Sequence, residues 1–470
     1  MIRPMNKRGS DQRRLVLVIS ILASFVAFLD GSVVNVGLPA IVHELGGGLV
    51  TQQWVVDAYL ITLSSLILVA GSLSDLFGRK RVLVLGLLGF GVTSVLCAVA
   101  PTSGSLIAFR ALQGVAGALL VPSSLALIIA VFGSEGAGKA IGTWTAWTGI
   151  AYVIGPLFGG FLIDAASWRW IFAINVVPIV ITLGLMSRLR HEEERQGAKV
   201  DTVGAVLCAL GLGGSVFALI EQTHYGWINP IIYTPLVIGV AMLVYFVRYE
   251  QRIDQPMLTM ELFKVRNFSV GNVATIAIYS GLSVASFLIT VFIQQVGGYS
   301  AIEAGLALVP VTIIMFVLSP RFGALCAKYG PRFFMSAGPA VAGLGFLLLL
   351  RVDQSVHYWS QLLPGVLLFG LGLSMTVAPL TTAILGSIKS EHAGIGSAIN
   401  NAVARVAGLV AIAAIGVVTG PTLETAGFHR GAVAMAALLL AGALISAIGI
   451  QNPPGIGLTR KARAGAKLQS

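Results

Sequence analysis

The sequence predicts an all-α integral membrane protein with fourteen transmembrane helices. Three observations carry this. Of 470 residues, 56% are hydrophobic and only 10% are charged, whereas a soluble domain carries about 25% charged residues. The mean hydropathy is +0.90, in the integral membrane range. The apolar residues also fall into fourteen runs, each near or above the roughly 20 residues that a helix needs to span a bilayer.

The runs lie at about 15–42, 54–73, 82–100, 105–132, 138–163, 169–187, 203–221, 229–247, 268–296, 303–326, 333–351, 360–387, 394–418 and 430–450. The first follows a basic start, MIRPMNKRGSDQRR, as a signal peptide would. Its length, with only Asp30 charged before His43, marks an uncleaved first helix instead. Charge supports the count. With the N-terminus inside and sides alternating, 25 of the 30 basic residues fall inside, and only Arg169, Arg351 and Arg430 fall outside. Arg110 and Arg405 remain within spans. Lys and Arg concentrate on the cytoplasmic side, so both termini are expected in the cytoplasm of a multi-pass inner-membrane protein.

Two long charged inside segments, 188–201 and 248–267, bracket spans 7 and 8. They divide the chain into an N-terminal six-helix bundle (1–189), two additional central helices with cytoplasmic linkers (190–267), and a C-terminal six-helix bundle (268–470).

Other classes are excluded on composition. The net charge of +11 sits at the ends of apolar runs, not on a basic stripe with interleaved aromatics, so no nucleic acid is expected. Cys97, Cys208 and Cys326 lie far apart inside apolar runs, without disulfide or metal spacing. The histidines form no pair at metal spacing. No nucleophile–base pair or metal cluster points to an enzyme, and no cofactor is expected beyond a proton gradient. The expected partners are a small-molecule substrate, protons and the lipid bilayer, with the protein a monomer.

The loop GSLSDLFGRKR (71–81) joins spans 2 and 3. Its Gly71, Asp75, Gly78, Arg79 and Lys80 match G-x-x-x-D-x-x-G-R-[RK], which resembles the signature loop of the major facilitator superfamily. A faint copy, GALCAKYGPR (323–332), occupies the corresponding loop of the last six spans. Two six-helix halves related by such a repeat are a common build of transporters, so the two bundles are expected to be pseudo-symmetric.

Two acids lie deep in spans: Asp30, in FLDGSVVNVGLP, and Asp57, in QQWVVDAYLI. A carboxylate at a helix centre costs about 2.5–3.5 kcal/mol on insertion scales, which suggests a use. Either could take up and release a proton as access alternates; the plainer alternative is a structural hydrogen-bonded acid. Arg110 opens R-x-x-Q-G-x-x-G with Gln113, Gly114 and Gly117. An intramembrane arginine needs a partner, with Asp30 the natural one and Asp57 second. For Arg405, in span 13, Asp57, backbone carbonyls and an anionic substrate group all stay open.

Span 5 carries Gly149, Gly155, Pro156, Gly159 and Gly160. This resembles G-x-x-x-G-P-x-x-G-G, the superfamily's antiporter mark. The strings LDGSVVNVGLP, WRWIFAINVVP and ALIEQTHYGW are similar to the fourteen-span drug:proton antiporter branch, and WVVD (54–57) to its quaternary-ammonium pumps. The resemblance implies proton-coupling roles for Asp30, Asp57 and Arg110. It also implies that Asp75 contacts the start of span 13, near Gly394 to Ser397, as an inner gate. Asn35, Trp54, Tyr59, Gln113, Trp144, Trp147, Tyr152 and Arg405 are the substrate-cavity candidates; aromatic faces attract organic cations by roughly 0.5–2 kcal/mol. The expected function is proton-coupled efflux of lipophilic, cationic compounds by alternating access. The alternatives are export of an endogenous metabolite, lipid or antibiotic, for which Arg405 points to an anionic one, or a non-transporting membrane sensor.

Overall fold

The computed structural model describes residues 7–189, 201–253, 256, 258–389 and 393–452. The expectations for the side chains of Asp75 and Tyr152, the surroundings of Gly149 and Gly394, and residues 190–200 of the linker lie outside the described residues. The described chain is helical throughout: α1 (Lys7–Leu45), α2 (Gly48–Phe77), α3 (Arg79–Ala98), α4 (Ser103–Gly149), α5 (Ala151–Ala165), α6 (Trp170–Ala173), α7 (Val176–Met186), α8 (Thr202–Tyr225), α9 (Pro230–Glu250), α10 (Arg266–Gln295), α11 (Ala301–Ala307), α12 (Val309–Tyr329), α13 (Pro331–Leu348), α14 (Leu363–Leu385), α15 (Ala393–Thr419) and α16 (Thr425–Gly449).

Among the described residues, eleven helices are long and apolar enough to cross a membrane. Two shorter apolar helices, Ile154–Ala165 and Trp170–Met186, hold the end of run five and run six; the start of run five lies on α4, and α2 covers run two. Each apolar run thus falls on helix, but the breaks differ from expectation. No break occurs at 133–137: α4 continues for 47 residues to Gly149. Those residues include no proline, so nothing removes a backbone donor there. The interruption comes at Ile150, whose N–H bonds three residues back to the Trp147 carbonyl at 3.3 Å. Run ten divides at Leu308, just before Pro310, which has no N–H to continue the ladder.

The chain forms two compact units. The first contains Met1–Leu258, Ser286–Leu306 and Ile412–Leu423, and the second Thr259–Ala285, Ala307–Ala411 and Glu424–Ser470. In the first, glycines let helices approach closely. A Cβ on Gly114 of α4 would lie 2.3 Å from the Tyr59 carbonyl of α2, and one on Gly239 of α9 would lie 2.8 Å from the Gly211 carbonyl of α8. In the second unit, a Cβ on Gly372 of α14 would meet the Gly338 carbonyl of α13 at 2.5 Å.

One copy of a glycine junction occurs in each unit. Gly78, the single residue between α2 and α3, has φ 97° and ψ 130°. Gly330, between α12 and α13, has φ 86° and ψ 159°. L-residues with side chains rarely adopt this region, which accounts for glycine in both loops. Two residues on, Lys80 Nζ donates to the Leu189 carbonyl at 2.7 Å, and Arg332 Nε donates to the Ala447 carbonyl at 2.7 Å. In each case a basic residue donates to a carbonyl near the C-terminal end of another helix.

Candidate functional site

The first unit buries a polar cluster among apolar helices. Asp30 of α1, Arg110 and Gln113 of α4, Ser94 of α3 and Asn175 at the start of α7 are each at most 1% exposed. Arg110 Nη1 lies 2.6 Å from Asp30 Oδ2 and donates to Gln113 Oε1 at 2.7 Å. Gln113 Nε2 donates to Asp30 Oδ1 at 3.1 Å and to Ser94 Oγ at 2.9 Å. Asn175 Nδ2 also donates to Asp30 Oδ1, at 3.1 Å. Both carboxylate oxygens are therefore occupied. Arg110 Nε reaches the Val55 carbonyl of α2 at 3.0 Å, and its guanidinium carbon lies 4.3 Å from the centre of the Tyr59 ring. The cluster ties α1, α2, α3, α4 and α7 together, and its one ion pair is closed on all sides by hydrogen bonds, as a buried pair requires.

The local backbone delivers these groups. Arg110 and Gln113 stand at i and i+3 on one face of α4. Asn175 sits in a tightened turn between α6 and α7, its N–H bonded to the Phe172 carbonyl at 3.2 Å. Sequence reading missed Asn175 and Ser94. A polar residue inside the apolar string WRWIFAINVVP was the available signal for Asn175; Ser94 had none.

Asp57 stands apart from this cluster. It is fully buried, and neither carboxylate oxygen accepts a hydrogen bond from the described protein. Trp54 Nε1 donates to Glu221 Oε1 of α8 at 2.8 Å, an acid that sequence reading did not single out. Gln53 Nε2 donates to the Ile412 and Ala413 carbonyls at 2.7 and 3.0 Å. Trp144 donates to Ser24 Oγ and the Ser20 carbonyl. Trp147 is 56% exposed, while Asn35 and Arg405 are half-buried. The structure thus gathers Asp30, Arg110, Gln113 and Tyr59 into one cluster and leaves Trp54, Trp144 and Trp147 dispersed.

The glycines of α5 serve close approach. A Cβ on Gly155 would meet Ser32 Oγ at 2.0 Å, and one on Gly159 would meet Val33 Cγ2 at 2.3 Å. One on Gly160 would lie 2.5 Å from Ile302 Cα. Pro156 faces Gly305, whose Cβ would lie 2.3 Å from the Pro156 carbonyl. Asp164, one turn beyond Gly160, accepts from the Ala301 and Ile302 N–H groups at 3.2 and 2.9 Å. The spacing of the antiporter pattern places its first glycine at Ala151, not Gly149. Because backbone, not a flexible side chain, faces Gly160, a Gly160→Ala variant is expected to lose about 1–3 kcal/mol by overpacking. A lowered thermal midpoint of the purified protein would show it, and an unchanged midpoint would refute it.

Comparison with known proteins identifies relatives of the whole chain. The family profile described as Major Facilitator Superfamily matches residues 20–412. A puromycin resistance protein of Streptomyces alboniger is 34% identical over 425 residues, covering 88% of this chain and 84% of its own. A methylenomycin A resistance protein of Bacillus subtilis (strain 168) is 32% identical, covering 86% and 87%. Among solved structures, a POT family transporter in complex with 5-aminolevulinic acid superposes with a TM-score of 0.68 at 12% identity, covering 92% of this chain and 94% of that one. A D-xylose–proton symporter gives a TM-score of 0.67 at 14% identity, covering 93% and 98%. At such identities the structures show a shared fold alone.

Proposed function

Because the chain belongs to the Major Facilitator Superfamily, a family of membrane transporters and not enzymes, we propose that it exports lipophilic, cationic compounds in exchange for protons. The observation that carries this reading is the fully buried Asp30–Arg110 pair with its amide donors. An ionisable pair at membrane depth is costly and is a functional-site hypothesis by default. Relatives named for resistance to puromycin and methylenomycin A support drug efflux. The proposed build is the fourteen-span, two-bundle one with both termini cytoplasmic, acting as a monomer in the cell membrane; the paired Gly78 and Gly330 junctions support its internal repeat.

In the proposed cycle, Asp30 takes a proton from outside and releases it inside when substrate binds. Arg110 links the event to α2 through the Val55 carbonyl, and α2 carries Asp57. One proton entering for one monocation leaving moves no net charge, so the pH gradient drives the exchange, each pH unit supporting about a tenfold substrate gradient at about 1.4 kcal/mol per decade.

The test uses everted membrane vesicles holding an imposed pH gradient. Adding a panel of lipophilic cations should collapse the gradient faster than in vesicles lacking the protein. No protein-dependent response across the panel would sink the reading. A second reading, export of an anionic antibiotic or metabolite, draws on Arg405 of α15 and on a relative named a probable actinorhodin transporter. It predicts a response to anions that Arg405→Ala abolishes.

A further inference from the structure

We propose that Asp57 and Gln53 together form a binding point for an N–H-bearing ammonium group of the substrate. The transporter would then favour protonated primary, secondary or tertiary amines over quaternary ammonium ions. The inference rests on the efflux reading above and narrows its substrate class.

The two side chains stand one turn apart on one face of α2, and both are 0% exposed. The Gln53 amide has a forced orientation. Its Nε2 meets the Ile412 and Ala413 carbonyls at 2.7 and 3.0 Å, and carbonyls only accept, so the NH2 end must point there. Oε1 is then left as an acceptor, and no protein group donates to it. No side chain intrudes from Gly416, where a Cβ would lie 3.3 Å from Oε1. One turn along, both oxygens of Asp57 also accept nothing. This face of α2 therefore presents three buried acceptor atoms without a donor, and unmade buried hydrogen bonds are expensive.

The two membrane acids divide here. Asp30 is fully engaged by Arg110, Gln113 and Asn175. Asp57 has no hydrogen-bond donor and no ion-pair partner among the described residues. A carboxylate supplies one negative charge for a monocation, and acceptors without donors beside it call for a cation that also donates. A quaternary ammonium offers only C–H groups and leaves the acceptors unmade. Sites built to hydrogen-bond a ligand discriminate strongly against analogues that lack the donor. The bonds from Gln53 fasten α2 to the 412–423 segment at this face, so parting that contact would uncover Gln53 and Asp57 together. A proton and a substrate N–H would then compete for the same carboxylate.

The test measures equilibrium binding of two radiolabelled probes to the purified full chain in lipid nanodiscs at pH 7. One is chlorpromazine, a protonated tertiary amine; the other is its N-methyl quaternary derivative. Both are monocations with the same apolar body. Chlorpromazine is expected to bind at least about tenfold tighter, about 1.4 kcal/mol. Asp57→Asn, nearly isosteric, and Gln53→Met should each bring the ratio of the two affinities toward one. Equal binding of the two probes by the unmodified protein would overturn this inference and leave the efflux reading standing. Binding of neither would also overturn this inference, while the vesicle panel decides the efflux reading separately. The unmodified protein decides the matter alone if a variant fails to fold.

Discussion

An Asp30→Asn variant is expected to lose proton-coupled export by about a hundredfold or more, equivalent to about 2.8 kcal/mol at 1.4 kcal/mol per decade. Asparagine preserves the shape and still offers an oxygen to Arg110, but it cannot exchange a proton. Export against a gradient should therefore fail, while exchange of labelled for unlabelled substrate at equal pH persists. That split separates coupling from folding, since a misfolded protein would lose both. Uphill export at the unmodified rate would remove Asp30 from the coupling step and leave it a structural acid within the cluster.

Arg110→Ala is expected to have the largest effect on stability. The guanidinium serves the Asp30 carboxylate, the Gln113 amide oxygen and the Val55 carbonyl at once, and it lies 1% exposed against the Tyr59 ring. Its loss strands a buried carboxylate and leaves a large cavity. Breaking a buried pair by removing one partner costs about 3–5 kcal/mol. The expected result is a sharp fall in the thermal midpoint of the purified protein or in the amount reaching the membrane. An Asp30→Asn/Arg110→Gln double variant, which removes both charges, should be more stable than Arg110→Ala alone. Equal stability of the two would show that the stranded charge is not the cause.

Much of the fold was legible because a bilayer imposes a one-dimensional rule. Every spanning segment must be apolar and satisfy its own backbone, so apolar runs translate directly into helices such as α3, α8 and α16. The break points were less legible. The expected turn at 133–137 gave way to an interruption at Ile150, and span ten divided before Pro310. Run length tells how much helix is present, whereas the place of a break depends on prolines and on neighbouring packing. At the site, Arg110, Gln113 and Asp30 announced themselves because polar groups in apolar runs are rare. Ser94 and Asn175 did not, because a serine or an asparagine in a membrane helix commonly bonds its own backbone or a neighbouring helix.

The membrane class, the positions of the apolar runs, the two glycine junctions and the presence of two deep acids were readable from the residues alone. Each follows from composition or from local backbone demands. Which acid is held and which is not was settled by the packing of helices distant in the chain. Asn175 reaches Asp30 across 145 residues, and Gln53 reaches Ile412 across 359. Such meetings depend on how closely glycine-lined helices pack and on which faces they turn toward each other, and neither is encoded in any single run. That packing gave Asp30 an arginine and two amides, and left Asp57 without a donor.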